Sequence, residues 1–74
     1  MAIFVYAIKS LIDNRLYVGM TENPERRLIE HNQGRTKSTK GYKPWVLIYK
    51  EETETRKEAI NLKNIIKVVT EKKF

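Results

Sequence analysis

The 74-residue chain has no cysteine and a single histidine, His31. Without thiols there is no disulfide framework and no thiolate metal site, and one imidazole cannot build a zinc centre of the His and Cys kind. The lack of cysteine suits a reducing compartment, and a cytoplasmic location is the expectation. No apolar run approaches the ~20 residues that a membrane-spanning helix needs. The opening Met1-Ala2-Ile3-Phe4-Val5-Tyr6 lacks both a basic leader and a small-residue cleavage site, so no secretory signal is expected. Glycine and proline are scarce, three and two, and each therefore marks a turn or a helix end. There is no repeat, low-complexity tract or linker, and residues 1–74 read as one domain.

What is present is ordinary for a folded chain: 41% hydrophobic and 32% charged residues. A core this small is near the lower limit for unaided folding, which is compatible with a homodimer or a larger assembly. The formal net charge of +6 is unevenly spread. Residues 26–43 hold Arg26, Arg27, Arg35, Lys37, Lys40 and Lys43 against Glu30 alone, and a second excess lies at Lys63, Lys67, Lys72 and Lys73. A basic block of this kind suits a phosphate-bearing partner, because neutralising phosphates releases their counterions. The competing reading is a solvated surface that serves solubility.

Residues 3–9 are β-branched and aromatic and predict a strand; residues 15–19 predict a second, with turn chemistry at Asp13-Asn14. A four-residue loop over residues 11–14 makes Ser10 oppose Arg15, Tyr6 oppose Gly19 and Ile8 oppose Tyr17. Tyr6 and Tyr17 then share one sheet face, with Gly19 leaving room for the ring of Tyr6. Slipping by one residue would separate the two tyrosines. A helix follows, with Asn23 as cap, Pro24 in its first turn, Glu25 on the dipole, and Gly34 at its exit. Leu28 and Ile29 supply its apolar side, and Arg27 and His31, four apart, project from one face. Residues 34–44 predict a basic loop, and Trp45-Val46-Leu47-Ile48-Tyr49 a third strand. Thr55-Arg56-Lys57-Glu58 has capping-box spacing, and Ala59, Leu62, Ile66 and Val69 form the apolar stripe of a helix over 55–70. The predicted order is β-β-α-β-α, an α/β fold.

At this point a resemblance becomes visible. Phe4-Val5-Tyr6, eleven residues before Tyr17-Val18-Gly19, resembles the paired signature of the GIY-YIG endonucleases. Pro24-Glu25-Arg26-Arg27-Leu28-Ile29-Glu30-His31-Asn32-Gln33-Gly34 is similar to that family's helix with its arginine and downstream histidine. Lys37-Ser38-Thr39-Lys40, Pro44-Trp45-Val46-Leu47-Ile48-Tyr49 and Glu54-Thr55-Arg56-Lys57-Glu58-Ala59 extend the match over nearly the whole chain, most closely to small single-domain bacterial members.

The resemblance implies a sandwich built on a three-stranded antiparallel sheet, with DNA as partner and Mg²⁺ or Mn²⁺ assisting phosphodiester hydrolysis. It implies that Tyr6 and Tyr17 line the catalytic surface, one of them activating or positioning water. An unperturbed tyrosine, with a pKa near ~10, is a poor base at neutral pH, so a nearby cation must lower that value or the ring only orients water. Arg27 matches the family's catalytic arginine, whose guanidinium can grip two phosphoryl oxygens. His31 could orient a phosphate or shuttle a proton; the plain alternative is a solvated partner of the helix dipole. Arg26, Arg35, Lys37, Lys40 and Lys43 are the candidates for backbone contacts, which set register without reading sequence. One departure matters. The family's metal-binding glutamate falls at Lys63, and a lysine cannot ligate a hard cation. The function expected is therefore a DNA endonuclease with impaired activity; the alternative is an inactive DNA- or phosphate-binding module, and a pure protein-interaction domain ranks last.

Overall fold

The computed structural model describes residues 2–71, with side chains through residue 67; Val69 of the apolar stripe and the terminal Lys72 and Lys73 lie outside the described side chains. Strands β1 (Ile3–Ser10) and β2 (Leu16–Thr21), helix α1 (Pro24–Asn32), strand β3 (Trp45–Thr53) and helix α2 (Arg56–Glu71) follow in that order, with one 3₁₀ turn at Lys40–Tyr42. The strands form an antiparallel sheet in the order β2-β1-β3. The α/β expectation is met in the α+β form, a three-stranded sheet covered by two helices.

The hairpin takes the expected register. Ser10 N–H donates to the Arg15 carbonyl at 2.9 Å, Tyr6 pairs with Gly19, and Ile8 pairs with Tyr17. Asn14 adopts the left-handed conformation (φ 66°) that the turn needs and that asparagine tolerates. Because successive strand residues point to opposite faces, Tyr6 and Ile8 lie on one side of β1 while Val5 and Ala7 lie on the other. The first side packs with Trp45, Tyr17, Leu47 and Leu28 of α1. The second is equally buried, and α2 rests on β1 and β2 with Ala59 fully enclosed. The two helices therefore cover opposite faces.

Three details differ from expectation. Strand β3 continues four residues past Tyr49, pairing Lys50, Glu51, Glu52 and Thr53 with residues 3–6. Lys50, Glu51 and Glu52 are charged and exposed, which an edge strand tolerates and which guards its open edge. Thr53, by contrast, is buried and donates its hydroxyl to the Ile3 carbonyl at 2.7 Å. Second, Ile29 is 57% exposed, so it does not share the packing of Leu28. The buried line of α1 is Pro24, Leu28 and His31, spaced four and three apart as the helical period requires. Third, a bulge interrupts β1 against β3, where Ala7 pairs with Tyr49 and Ile8 with Leu47, leaving Ile48 unopposed.

The helix ends form as their residues dictate. Asn23 Oδ1 accepts from Arg26 N–H at 3.1 Å, Pro24 opens the helix, and Gly34 (φ 78°) turns the chain away after the cap at Gln33. Thr55 Oγ1 accepts from Glu58 N–H at 3.2 Å at the start of α2.

Candidate active site

The hairpin register and the helical spacing deliver Tyr6, Tyr17 and His31 to one place. The ring centroids of Tyr17 and His31 are 5.0 Å apart, edge to face, and Tyr6 stands 6.3 Å from Tyr17 and 6.0 Å from His31. Tyr6 and His31 are both fully enclosed, whereas Tyr17 is half-buried. The Tyr6 hydroxyl is 2.9 Å from His31 Nε2, and His31 Nδ1 is 2.7 Å from the hydroxyl of buried Thr39.

His31 is thus not a solvated partner of the helix dipole. It lies on the inward line of α1 with none of its surface exposed. Burial, reinforced by the Arg27 charge, holds its pKa below the ordinary value, so it stays neutral at neutral pH. Burial likewise pushes the Tyr6 hydroxyl up to about 12, with Tyr17 adding to the effect and the Arg27 guanidinium only partly opposing it. Tyr6 is therefore a protonated phenol at neutral pH. Of the two tyrosines, Tyr17 is the one that solvent reaches.

Arg27 is held at the rim. Its Nη1 donates to Glu30 Oε1 at 2.8 Å, and a third of the side chain remains exposed. Glu30 also takes Arg26 Nε at 3.4 Å, one helical turn back. Paired with Arg27, its carboxyl is held below the usual carboxylate range. A cleft of about 330 Å³ opens beside them, lined by Thr21, Glu22, Asn23, Arg26, Arg27 and Glu30. Two arginines and two glutamates share it, so it is not the uniformly positive surface that the charge count suggests.

Of the remaining basic residues, Arg35 adds its charge to those of Arg27 and Arg26 around Glu30. Lys40 and Lys43 fold back toward Gly34, where a Cβ would lie 3.4 Å from Lys40 Cγ and from Lys43 Nζ. Arg35 and Lys37 are exposed, and the Arg35 amide donates to the Glu30 carbonyl at 3.1 Å. Lys63 is half-buried on α2, the helix on the face opposite α1.

Three participants carried little or no mark in the sequence as site residues. Thr39 sits in a lysine-rich loop with no periodic pattern. Trp45 donates its indole N–H to the Thr39 carbonyl at 3.0 Å, and Asn32 clamps both the N–H and the carbonyl of Trp45 at 2.6 and 3.0 Å. Glu30 was detectable, because its spacing of three and four from Arg27 and Arg26 is that of helix ion pairs.

The family model described as the GIY-YIG catalytic domain matches residues 2–73. The chain belongs to the GIY-YIG family. It is similar to a UPF0213 protein of Staphylococcus haemolyticus, 42% identical over 65 residues that cover 86% of this chain and 78% of that protein. A UPF0213 protein of Staphylococcus saprophyticus is 35% identical over 71 residues, covering 95% of this chain and 85% of the relative. No solved structure matches the chain at a significant level. The GIY-YIG domain is by family a phosphodiester hydrolase, and its nucleases generally use divalent metals.

The residues of this GIY-YIG domain do not fit such an ion well. Among the described residues no group of three His, Cys, Asp or Glu side chains could hold a metal. Glu30, next to Arg27, already serves two arginines, and Lys63 takes the position where the family resemblance places the carboxylate. Among the described residues no helix is long and apolar enough to cross a membrane.

Proposed function

We propose that this GIY-YIG domain engages DNA phosphates and hydrolyses phosphodiesters feebly at most. The reading is carried by one observation. A rim arginine and a half-exposed tyrosine stand over a buried, fully hydrogen-bonded Tyr6–His31–Thr39 network, while the position for the family's metal ligand is Lys63. In this reading Arg27 grips two non-bridging phosphoryl oxygens, and its fixed charge opposes the charge that develops as the pentavalent state forms. Tyr17 positions water or the phosphate. Tyr6 and His31 support the surface from beneath and carry no charge. Arg26, Arg35, Lys37, Lys40 and Lys43 track the DNA backbone.

Lys63 favours the second reading, an inactive phosphate-binding module on the same scaffold. An ammonium can offset negative charge but cannot lower the pKa of a bound water as a divalent ion does. Two measurements test these readings. With about four to six phosphates contacted, log affinity for duplex DNA should fall against log salt with a slope of roughly −4 to −5; a flat response excludes DNA as the principal partner. Nicking of supercoiled or branched DNA in Mg²⁺ or Mn²⁺ then separates a slow nuclease from a binding module.

A further inference from the structure

The Tyr6–His31–Thr39 network has a direction, and the structure determines it. A neutral imidazole carries one N–H and one bare nitrogen, so the two bonds of His31 must run the same way along the chain of groups. The Thr39 hydroxyl has a single proton. Besides His31 Nδ1 at 2.7 Å, it lies 3.3 Å from the Thr36 carbonyl oxygen, which can only accept.

Two polarities are conceivable. In one, Tyr6 O–H donates to Nε2, Nδ1–H donates to Thr39, and Thr39 O–H donates to the Thr36 carbonyl; every proton then has an acceptor. In the other, Thr39 O–H donates to Nδ1 and Nε2–H donates to the phenol oxygen. The Tyr6 proton must then find a new acceptor. Among the described residues that hydroxyl meets His31 Nε2 at 2.9 Å and the Arg27 guanidinium, and the guanidinium is a donor only. Tyr6 is 1% exposed, so water cannot serve it freely, and an enclosed unsatisfied hydroxyl is costly.

We infer that Thr39 is a positioning residue: it fixes His31 as the Nδ1–H tautomer, so that Nε2 accepts the Tyr6 proton and the phenol oxygen is left to accept hydrogen bonds on the Arg27 side. Thr39 is well placed for this. It is 1% exposed, its carbonyl is held by the Trp45 indole, and Trp45 is clamped in turn to Asn32 of α1. The consequence for the site is specific. Tyr6 cannot donate a proton to a leaving oxygen, and its lone pairs instead help to seat the Arg27 guanidinium.

This inference deepens the site reading above, yet its test needs no nucleic acid, so failure of DNA binding and failure of the tautomer assignment are distinguishable. Because His31 is the only histidine, ¹⁵N-histidine labelling of the full chain gives one imidazole to observe. Long-range ¹H–¹⁵N correlation at neutral pH should show Nδ1 protonated and Nε2 bare. In Thr39→Val, which keeps the shape and removes the acceptor, the proton should move substantially to Nε2, and Thr39→Ser should restore the original pattern. A merely space-filling Thr39 would leave the tautomer unchanged in Thr39→Val and altered by neither variant. An Nε2–H tautomer in the unmodified protein overturns the assignment outright, as does a folded Thr39→Val that keeps Nδ1–H. Should Thr39→Val not fold, the spectra of the unmodified chain and of Thr39→Ser decide: Nδ1–H in both supports the assignment, and Nε2–H in either overturns it.

Discussion

Tyr6 occupies the space that any side chain at Gly19 would need. A Cβ on that glycine would meet the phenol oxygen at 2.7 Å and the adjoining ring carbon at 2.8 Å. Gly19 has no positive φ, so the requirement comes from the tyrosine opposite and not from the backbone.

Gly19→Ala should therefore act on Tyr6. The ring must shift away from His31, and the expected loss of stability is about 1–3 kcal/mol, the range for overpacking a filled core. Urea unfolding measures it. In a Tyr6→Leu background the penalty of Gly19→Ala should shrink clearly, since the clash has been removed; equal penalties in both backgrounds would disconnect the two residues.

Arg27→Ala should leave the fold intact, because the ion pair it loses to Glu30 is partly exposed and such pairs contribute little. Its affinity for DNA should fall by roughly 1.5–3 kcal/mol, the scale of charged hydrogen bonds. Fluorescence anisotropy with labelled duplex checks this, and an unchanged Kd would remove Arg27 from the interface.

The register of the hairpin was legible from residue types alone, because Asp13-Asn14 sets the loop length and only one alignment puts glycine under Tyr6. The surroundings of His31 were not. Its partner Thr39 comes from a loop whose lysines advertise solvent, and no periodicity reveals that one residue turns inward. The exposure of Ile29 was hidden for a related reason: hydrophobicity alone suggested burial, whereas the helical phase is set by Pro24, Leu28 and His31. Strand β3 runs on through Lys50, Glu51 and Glu52 because its backbone has a partner in β1, which composition cannot report.

Lys63→Glu should introduce Mg²⁺ binding and raise cleavage while leaving stability nearly unchanged, since residue 63 is only half-buried on α2. That helix lies along β2, the strand that carries Tyr17. Isothermal titration with Mg²⁺ and a nicking assay read the two effects. Strong Mg²⁺-dependent cleavage by the unmodified chain, unaltered by Lys63→Glu, would mean that another carboxylate holds the metal.

Stability should depend on pH on both sides of neutrality. The folded-state pKa of His31 lies below its ordinary value of 6.5, chiefly through burial. As pH falls through 6.5 the unfolded chain takes up a proton that the folded chain refuses, so stability declines. One proton limits the slope to about 1.4 kcal/mol per pH unit. At the alkaline end the sign reverses. Tyr6 is raised from 10.0 to about 12, so above pH 10 the unfolded chain loses a proton that the folded chain keeps, and stability falls as pH rises. Urea midpoints measured across this range check both arms; stability that increases on acidification below 6.5 would contradict the enclosed, neutral His31.

The unopposed Ile48 gives β3 two phases. Before the bulge, Trp45 and Leu47 stand opposite Ser10 and Ile8; after it, Lys50 stands opposite Tyr6 and reaches Glu25 of α1 at 2.7 Å. The extra residue shifts the sequence phase, so that odd positions before it and an even position after it address the same helix. Ile48 itself is half exposed and should tolerate many substitutions, and deleting it would set Leu47 opposite Ile8 and Tyr49 opposite Ala7 in unbroken alternation. Its removal should straighten the strand while every other residue of β3 keeps its partner in β1.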